Sequence, residues 1–510
     1  MYRLHGPSAT RSCNQPLVVG QDLFQPQARG KVWDLRQLSQ GVITLLDYEA
    51  PISTILDLDY IQANLEGFPD QEIVSFLLEG VQFKADLDLQ LVFLPHLLSL
   101  SHGIFSVEEE LQKLAARDYY GLFEHIPFAP CRLQPLGAVP RKLGPWRRIM
   151  DAGAPRKLVY DTQGVSVVSL NEASKGAKSH LQGATDSQTC CYEVGRWPPE
   201  CKPCLADYAH DACILKHAAC LSSEPIFCFN DDISNYFHSF ALAPQELWKV
   251  CCLYLPLCAE HQVHTFAVEY VLAMGIFSAS NIAQRVSHAI VHLVNQRMQE
   301  LEDAAHEDSP ELQAWLQSRS SLGSAQSRLW ALGMYTDDSH GSVVGIQRTI
   351  RLLRAWHHVM RGFNFVMAVP EKRQLGTSIV SLGAQFFIAE GLVVIPRHKI
   401  LRALAALKQV CEGSILQGEY RSLLGLLEHL LILHCGRRDI MYGLYWPMQW
   451  HSRGPTDALG SAAVEGLIAK QSLRWQRLLL TTPGCNFFHS LPHASKFSSR
   501  TIGVHLSPIQ

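Results

Sequence analysis

The stretch Tyr335-Thr336-Asp337-Asp338, set between the apolar runs Leu329-Trp-Ala-Leu-Gly-Met334 and Val343-Val344, decides how this chain is read. Two adjacent carboxylates flanked by β-compatible residues predict a tight hairpin with negative charge at its tip. Hard cations held by carboxylates are how proteins manage phosphate chemistry, so such a tip is a candidate metal site. Taken alone it reads first as a solvated turn, because Asp-Asp is common in turns. A third carboxylate in a matching strand context changes the balance, and Asp232, inside Phe227-Cys-Phe-Asn-Asp-Asp-Ile233, supplies it. Its neighbour Asp231 points to the opposite side of a strand and is left out of the candidate set.

Three ionised carboxylates on two strands repel one another. Two Mg²⁺ ions about 3.5–4 Å apart relieve that repulsion, and Mn²⁺ can take their place. The chemistry this predicts is in-line phosphoryl transfer, in which positioning and electrostatics do most of the work. Five residues past Asp232 stands Phe237, where an aromatic ring can exclude a ribose 2′-OH; the competing reading is a core aromatic. Ser339-His340 beside Asp338 is not a nucleophilic arrangement, because adjacent strand side chains diverge.

Charge is distributed unevenly. The net formal charge is −3, which argues against a simple basic nucleic-acid binder. Residues 1–130 carry 8 Lys and Arg against 17 Asp and Glu, whereas residues 397–510 carry 13 against 6. Between 131 and 157 stand Arg132, Arg141, Lys142, Arg147, Arg148, Arg156 and Lys157 with a single acid, Asp151. An acidic end and two basic segments fit a chain that handles a polyanion on selected surfaces. The 15 cysteines form no regular framework and there is no secretory h-region, so an intracellular location, cytoplasmic or nuclear, is expected. No apolar run reaches the ~18 residues of a membrane span, and a soluble chain is expected. The Cys/His-rich stretch Cys190, Cys191, Cys201, Cys204, His210, Cys213, His217 and Cys220 could ligate zinc, but the last members fall at helical spacing and read equally as residues of one helix.

Along the chain, 1–125 is an acidic N-terminal extension, loose at 1–30, with a helix expected near 107–114. Residues 131–160 read as extended strands around a Gly144-Pro145 turn, 205–222 as a helix, and 226–254 as strand, turn and helix start. A Gly/Ser loop from 271 leads into a helix whose face carries Ile282, Val286, Ile290 and Leu293. Residues 299–327 are polar and read as a surface insertion. A helix near 346–361, strands at 379–388 and 392–395, and a basic helical end over 398–480 complete the pattern, followed by a loose Ser/His/Pro-rich tail.

The ordered set of motifs resembles the reverse transcriptases of retrotransposon-type elements. Phe229-Asn-Asp-Asp-Ile-Ser-Asn-Tyr-Phe-His-Ser-Phe-Ala-Leu242 resembles that family's first palm motif, with Asp232 as metal ligand and Phe237 as sugar gate. Leu272-Ala-Met-Gly-Ile-Phe-Ser-Ala-Ser-Asn-Ile-Ala-Gln284 resembles the second, in which Gly275 and Gln284 line the nucleotide and template site, and Tyr335-Thr-Asp-Asp338 resembles YxDD. Gly362-Phe-Asn-Phe with Glu371-Lys372 is similar to the fourth motif, whose lysine is a proposed proton donor to pyrophosphate, and Ser381-Leu-Gly383 to the primer-grip segment. Val139-Pro-Arg-Lys with Trp146-Arg-Arg-Ile-Met-Asp151 is similar to the fingers hairpin, with Arg147 and Arg141 or Lys142 aimed at the triphosphate. Leu423-Leu-Gly-Leu-Leu and Gly436-Arg-Arg438 look like the thumb and the segment after it. The resemblance covers about residues 130–450. Two departures stand in the second motif: Ser280 replaces the usual Pro, and Ala-Met precedes the Gly where Pro is common.

The resemblance implies an α+β right-hand polymerase with a fingers region (126–225), an antiparallel-sheet palm (226–395, with the polar insertion at 299–327), a helical thumb or connection (396–480) and a loose tail (481–510). It implies RNA-directed addition of dNTPs to a primer 3′-OH on an RNA or DNA template-primer, with two Mg²⁺ on Asp232, Asp337 and Asp338. No Asp or Glu occurs after Glu465, so no C-terminal RNase H is expected. The alternative is a catalytically inactive, retroelement-derived nucleic-acid-binding protein. An RNA-synthesising polymerase of the same architecture is a third reading, which the bulky Phe237 opposes. Oligomeric state is not legible.

Overall fold

A computed structural model describes residues 54–85, 87, 92–123, 131–140, 144–155, 166–175, 197–253, 266–305, 310–319, 328–412, 415, 417–431, 441, 444, 470–477, 479 and 484–486. The N-terminal thirty residues, Arg141, Lys142, Cys190, Cys191, the Gly436-Arg-Arg438 segment and most of the C-terminal tail lie outside the described residues. Helix and sheet are mixed. In chain order the first elements are α1 (Leu58–Leu65), α2 (Gln71–Glu79), β1 (Val92–Phe93), α3 (Leu100–Ala115), β2 (Tyr120–Phe123), β3 (Arg132–Leu133), β4 (Leu136–Val139), β5 (Arg147–Met150), α4 (Leu170–Lys175), α5 (Leu205–Ser222), β6 (Ile226–Asn230), β7 (Cys251–Leu253), β8 (Phe266–Glu269) and α6 (Ala279–Asp303). They are followed by α7 (Pro310–Arg319), β9 (Trp330–Tyr335), β10 (Asp338–Val344), α8 (Ile346–Gly362), β11 (Gln374–Gly376), β12 (Ser378–Ser381), β13 (Ala384–Phe387), β14 (Leu392–Val394), α9 (Arg397–Cys411), α10 (Gln417–Leu431) and β15 (Gly484–Asn486).

The chain divides into two compact units, each built from three separate segments. One comprises Met1–Cys201, Ile233–Ile290 and Val359–Val366, the other Lys202–Asp232, Val291–His358 and Met367–Gln510. The first unit carries a five-stranded sheet in the order β1-β3-β7-β8-β2 and the separate hairpin β4-β5. Val107, Leu111 and Leu114, spaced to share one face of α3, pack with Tyr119, Tyr120, Leu136, Ala138, Cys252, Ala267 and Val271 into its core. The hairpin β4-β5 brackets the expected Gly144-Pro145 turn.

The second unit holds two antiparallel sheets, β11-β6-β10-β9 and β12-β13-β14-β15. Helix α5 buries Leu205, Tyr208, Ala209, Ala212, Leu215, Ala218 and Ala219, a stripe repeating at three and four residues. Strand β10 is buried from Ser339 to Val344 because it lies between β6 and β9 with both faces covered. Its small residues make that possible. A Cβ at Gly341 would lie 2.1 Å from Cε1 of Phe229, the residue opposite it in the ladder.

Local structure departs from the sequence reading in two places. The segment after β6 forms two 3₁₀ turns, Tyr236–Ser239 and Pro244–Lys249, and then strand β7, where a helix start was expected. Part of the polar 299–327 segment is ordered as the end of α6 and as α7, whose Leu312 is buried. No helix among the described residues is long and apolar enough to cross a membrane.

Candidate active site

The antiparallel register of β10 on β6 runs from Val344 opposite Ile226 to Gly341 opposite Phe229, and an isolated bridge continues it to Asp338 opposite Asp232. Directly opposed residues on an antiparallel pair share one face with their Cβ atoms about 4.5–5.5 Å apart. β10 also pairs with β9, and Asp338 lies opposite Tyr335 across the two-residue turn Thr336-Asp337. The hairpin expected from sequence is therefore present, with Asp337 at its tip and Asp338 at its base.

The turn is tight. Thr336 is buried and adopts φ +58°, a left-handed conformation that a β-branched side chain tolerates poorly. Such a conformation costs about 1–3 kcal/mol and persists only where the surroundings hold it. Here the paired strands on either side do so.

The electrostatics follow from the crowding. Burial pushes the Asp337 carboxyl above its ordinary value, against a backbone N–H that pulls it down, and Asp232 raises it further by charge and by a shared hydrogen bond. Burial, with the charges of Asp232 and Asp337, pushes Asp338 up to about 6. Asn230 opposes this by donating its amide to Asp338 Oδ1 at 2.5 Å, and Lys372 opposes it by charge. The Lys372 Nζ lies 2.9 Å from Asp232 Oδ2, so this lysine stands as a counter-ion to the first carboxylate. Among the described residues no group of three or more His, Cys, Asp or Glu side chains converges closely enough to hold a metal ion.

Behind the hairpin, alternate residues face two different supports. On the face that carries Asp232 and Asp338, His340 stacks on Tyr208 of α5 with ring centroids 4.1 Å apart and planes 5° from parallel. His340 is buried, and burial pushes its imidazole down to about 3, so it is neutral at ordinary pH. On the other face, the Ser339 hydroxyl lies 3.0 Å from both the backbone N–H and the carbonyl of Asp231, accepting from one and donating to the other. Asp231 is also buried, and Trp356 of α8 donates its indole N–H to Oδ2 at 3.1 Å. Sequence reasoning set Asp231 aside because it points away from Asp232. It does point away, but into a packed face.

The remaining candidates belong to the first unit. Gly275 has φ +109°, and a Cβ there would sit 2.4 Å from the carbonyl oxygen of Met150. Asn171, at the start of α4, clamps this loop: its amide donates to the Gly275 carbonyl at 2.9 Å and its Oδ1 accepts from the Phe277 N–H at 2.6 Å. No sequence signal marked Asn171, since its partners lie about a hundred residues on. Ser280, which departs from the resembled motif, donates to Glu200 Oε1 at 2.6 Å. Gln284 is buried on α6 and contacts His288 Nε2 at 3.1 Å. Phe237 sits half-buried in the 3₁₀ turn, edge-on to Tyr236.

Strand β5 of the basic hairpin separates its two arginines. Arg147 is exposed, with Nη1 3.8 Å from the Met274 sulfur. Arg148, on the opposite face of the strand, is buried; it pairs with the fully buried Glu269 at 2.8 Å and lies over the Tyr120 ring. Only the first is available to a ligand. Arg141 and Lys142, the other residues expected to hold a triphosphate, lie outside the described residues.

No protein-family model matches the chain, and no curated protein matches it in sequence. Among solved structures it is similar to a foamy viral protease-reverse transcriptase dRH in complex with double-stranded DNA, at 10% identity and a TM-score of 0.41, covering 85% of this chain and 64% of that one. A foamy viral protease-reverse transcriptase with double-stranded DNA gives 11% identity and a TM-score of 0.38, covering 81% of this chain and 71% of that one. The same kind of protein with an RNA/DNA hybrid gives 10% and 0.41, covering 81% of this chain and 46% of that one. The chain thus spans somewhat under two thirds of the first of these structures.

Proposed function

We propose that the chain is an RNA-directed DNA polymerase of the right-hand type, extending a primer 3′-OH with dNTPs. The observation that carries the proposal is the bridge between Asp232 and Asp338 with Asp337 in the adjoining turn, which gathers on one sheet the three carboxylates that the ordered motifs single out. The raised Asp337 and Asp338 support it, because burial, with the neighbouring carboxylate charges added to it, disfavours their ionised forms, and a divalent cation offsets both.

The residues fit such an ion in chemistry. Mg²⁺ is held by hard oxygens, commonly one or two carboxylates with water and substrate phosphates completing the shell, so a closed three-donor cage is not required. Asp232, Asp337 and Asp338 would hold it, and when bound it supplies charge neutralisation at the phosphates and a more acidic attacking hydroxyl. The chain's own residues set the frame. Asn230 holds Asp338 by its Oδ1, Lys372 supplies a positive charge beside Asp232, and Arg147 offers an exposed guanidinium for a phosphate. Phe237 is the candidate that excludes the ribose 2′-OH.

The second reading, a non-catalytic nucleic-acid-binding protein, is favoured by one observation: Lys372 lies against Asp232 as its counter-ion. Primer extension on an RNA template with Mg²⁺ separates the two. The wild-type chain extends the primer, and Asp337→Asn lowers the rate at least about a hundred-fold, as loss of a group stabilising transition-state charge does. Extension that survives this substitution would remove Asp337 from the metal site, and absence of extension by the wild type with retained nucleic-acid binding would establish the second reading.

A further inference from the structure

We propose that Asp231, which carries no metal in the reading above and rests on that reading for its role, is a positioning residue that holds the catalytic carboxylates in register. A carboxylate this deeply buried is expensive unless its oxygens are satisfied. Both are. Oδ1 accepts from the Asp232 backbone N–H at 3.0 Å and forms an ion pair with Arg373 Nε at 3.2 Å, and Oδ2 accepts from Trp356 Nε1 at 3.1 Å. The main chain of the same residue is locked to Ser339: its carbonyl accepts from the Ser339 N–H at 2.9 Å, and the hydroxyl takes the remaining donor and acceptor.

The placement of these partners is what separates a positioning role from ordinary packing. Asp232 is itself a proposed ligand. Ser339 follows Asp338, and Arg373 follows Lys372, whose ammonium lies against Asp232. Trp356 is fully buried on α8 and packs against Phe229 of β6, so it ties the hub to the sheet's covered face. Each bond of Asp231 therefore ends on a residue that is, or adjoins, a group of the proposed site, or on the helix that backs it. Beyond Phe229 the pairing of β10 with β6 narrows to an isolated bridge, and the side-chain bonds of Asp231, Ser339 and Asn230 add to the backbone bonds that remain there. Groups in this relation to a metal site orient the ligands, and their loss typically costs about 10–100-fold in metal affinity or activity.

The test uses the full chain with Asp231→Asn, Trp356→Phe and the double variant. Single-nucleotide primer extension gives kcat and KM for dNTP, Mn²⁺ binding is followed by electron paramagnetic resonance, and thermal unfolding by circular dichroism. The amide of Asp231→Asn leaves one acceptor where two are needed. The expected result is a fall in kcat of about 10–100-fold with a similar loss of Mn²⁺ affinity, while KM for dNTP stays within about two-fold. Trp356→Phe moves both in the same direction by less, and the double variant falls short of the product of the singles because they share one network. A purely structural residue would lower the melting temperature and leave the kcat-to-KM split and the Mn²⁺ affinity of the folded protein within about two-fold of wild type; that outcome overturns the proposal. Should Asp231→Asn not fold, Trp356→Phe alone decides by the same criteria. If the wild type extends no primer yet binds Mn²⁺ in a manner abolished by Asp337→Asn, the polymerase reading fails and positioning is judged on Mn²⁺ affinity. If it binds no Mn²⁺ either, both fail.

Discussion

The carboxylate hairpin of the second unit and the basic hairpin of the first are built on opposite plans. Around Asp232, Asp337 and Asp338 the polar side chains are tied to one another: Asn230 to Asp338, Lys372 to Asp232, Ser339 to Asp231, and Asp231 to Trp356 and Arg373. Around Arg147 the working side chain is exposed, and firmness resides one residue away in the buried Arg148–Glu269 pair. On the proposed reading, groups that hold a small ion would need to be fixed to a fraction of an ångström, and these hang from a sheet with bonds on both faces. A group that met a phosphate as the ligand arrived would swing from a strand whose opposite face is anchored.

Removing the anchor should have the largest effect on stability. Arg148→Ala leaves Glu269 buried without its partner, and a loss of about 3–5 kcal/mol is expected in urea unfolding. Were the loss as small as that of an ordinary surface substitution, the claim that this strand has one structural and one free arginine would break. Next in size, Gly275→Ala forces a side chain into φ +109° against the Met150 carbonyl. It should cost about 1–3 kcal/mol in the same measurement, with Asn171→Ala loosening the same loop by less.

The carboxylate side makes its own prediction through pH. The folded pKa of His340 is depressed to about 3 from an ordinary value of 6.5, so the unfolded chain binds a proton well before the native one does. The stability it contributes is complete above about pH 6.5 and is lost as pH falls toward 3. His340→Phe keeps a ring against Tyr208 and should flatten that part of the stability profile; an unchanged slope would mean that the imidazole is not held neutral. Smallest in stability is Arg147→Ala, which should leave unfolding within about 0.5 kcal/mol of wild type. Its effect should be in KM for dNTP, raised about ten-fold, as expected for losing a charge-assisted contact to phosphate.

These contrasts also show what the sequence could and could not reveal. The hairpin at 330–344 and helix Leu205–Ser222 were legible because their apolar periodicities are local and their ends are marked by turn residues. The strand pair around Gly144-Pro145 was legible for the same reason. Asp231 was not: period-two alternation says correctly that it faces away from Asp232, but it does not say whether the far side is water or the indole of Trp356, 125 residues later. Likewise nothing local distinguishes Arg148 from Arg147 except parity, and the partner that decides the matter, Glu269, lies 121 residues on. The Asn171 clamp is invisible for the same cause. Side chains that close long-range networks carry no periodic signature, since their meaning is fixed by what the fold brings to them.

The strained Thr336 has a consequence for how this chain can change over time. Glycine at that position would relax the turn, and a selection for heat resistance would find it early. The same substitution would free the tip that carries Asp337, so the gain in melting temperature would come with a slower, looser centre. On the polymerase reading, thermostability and turnover would be opposed at this one residue.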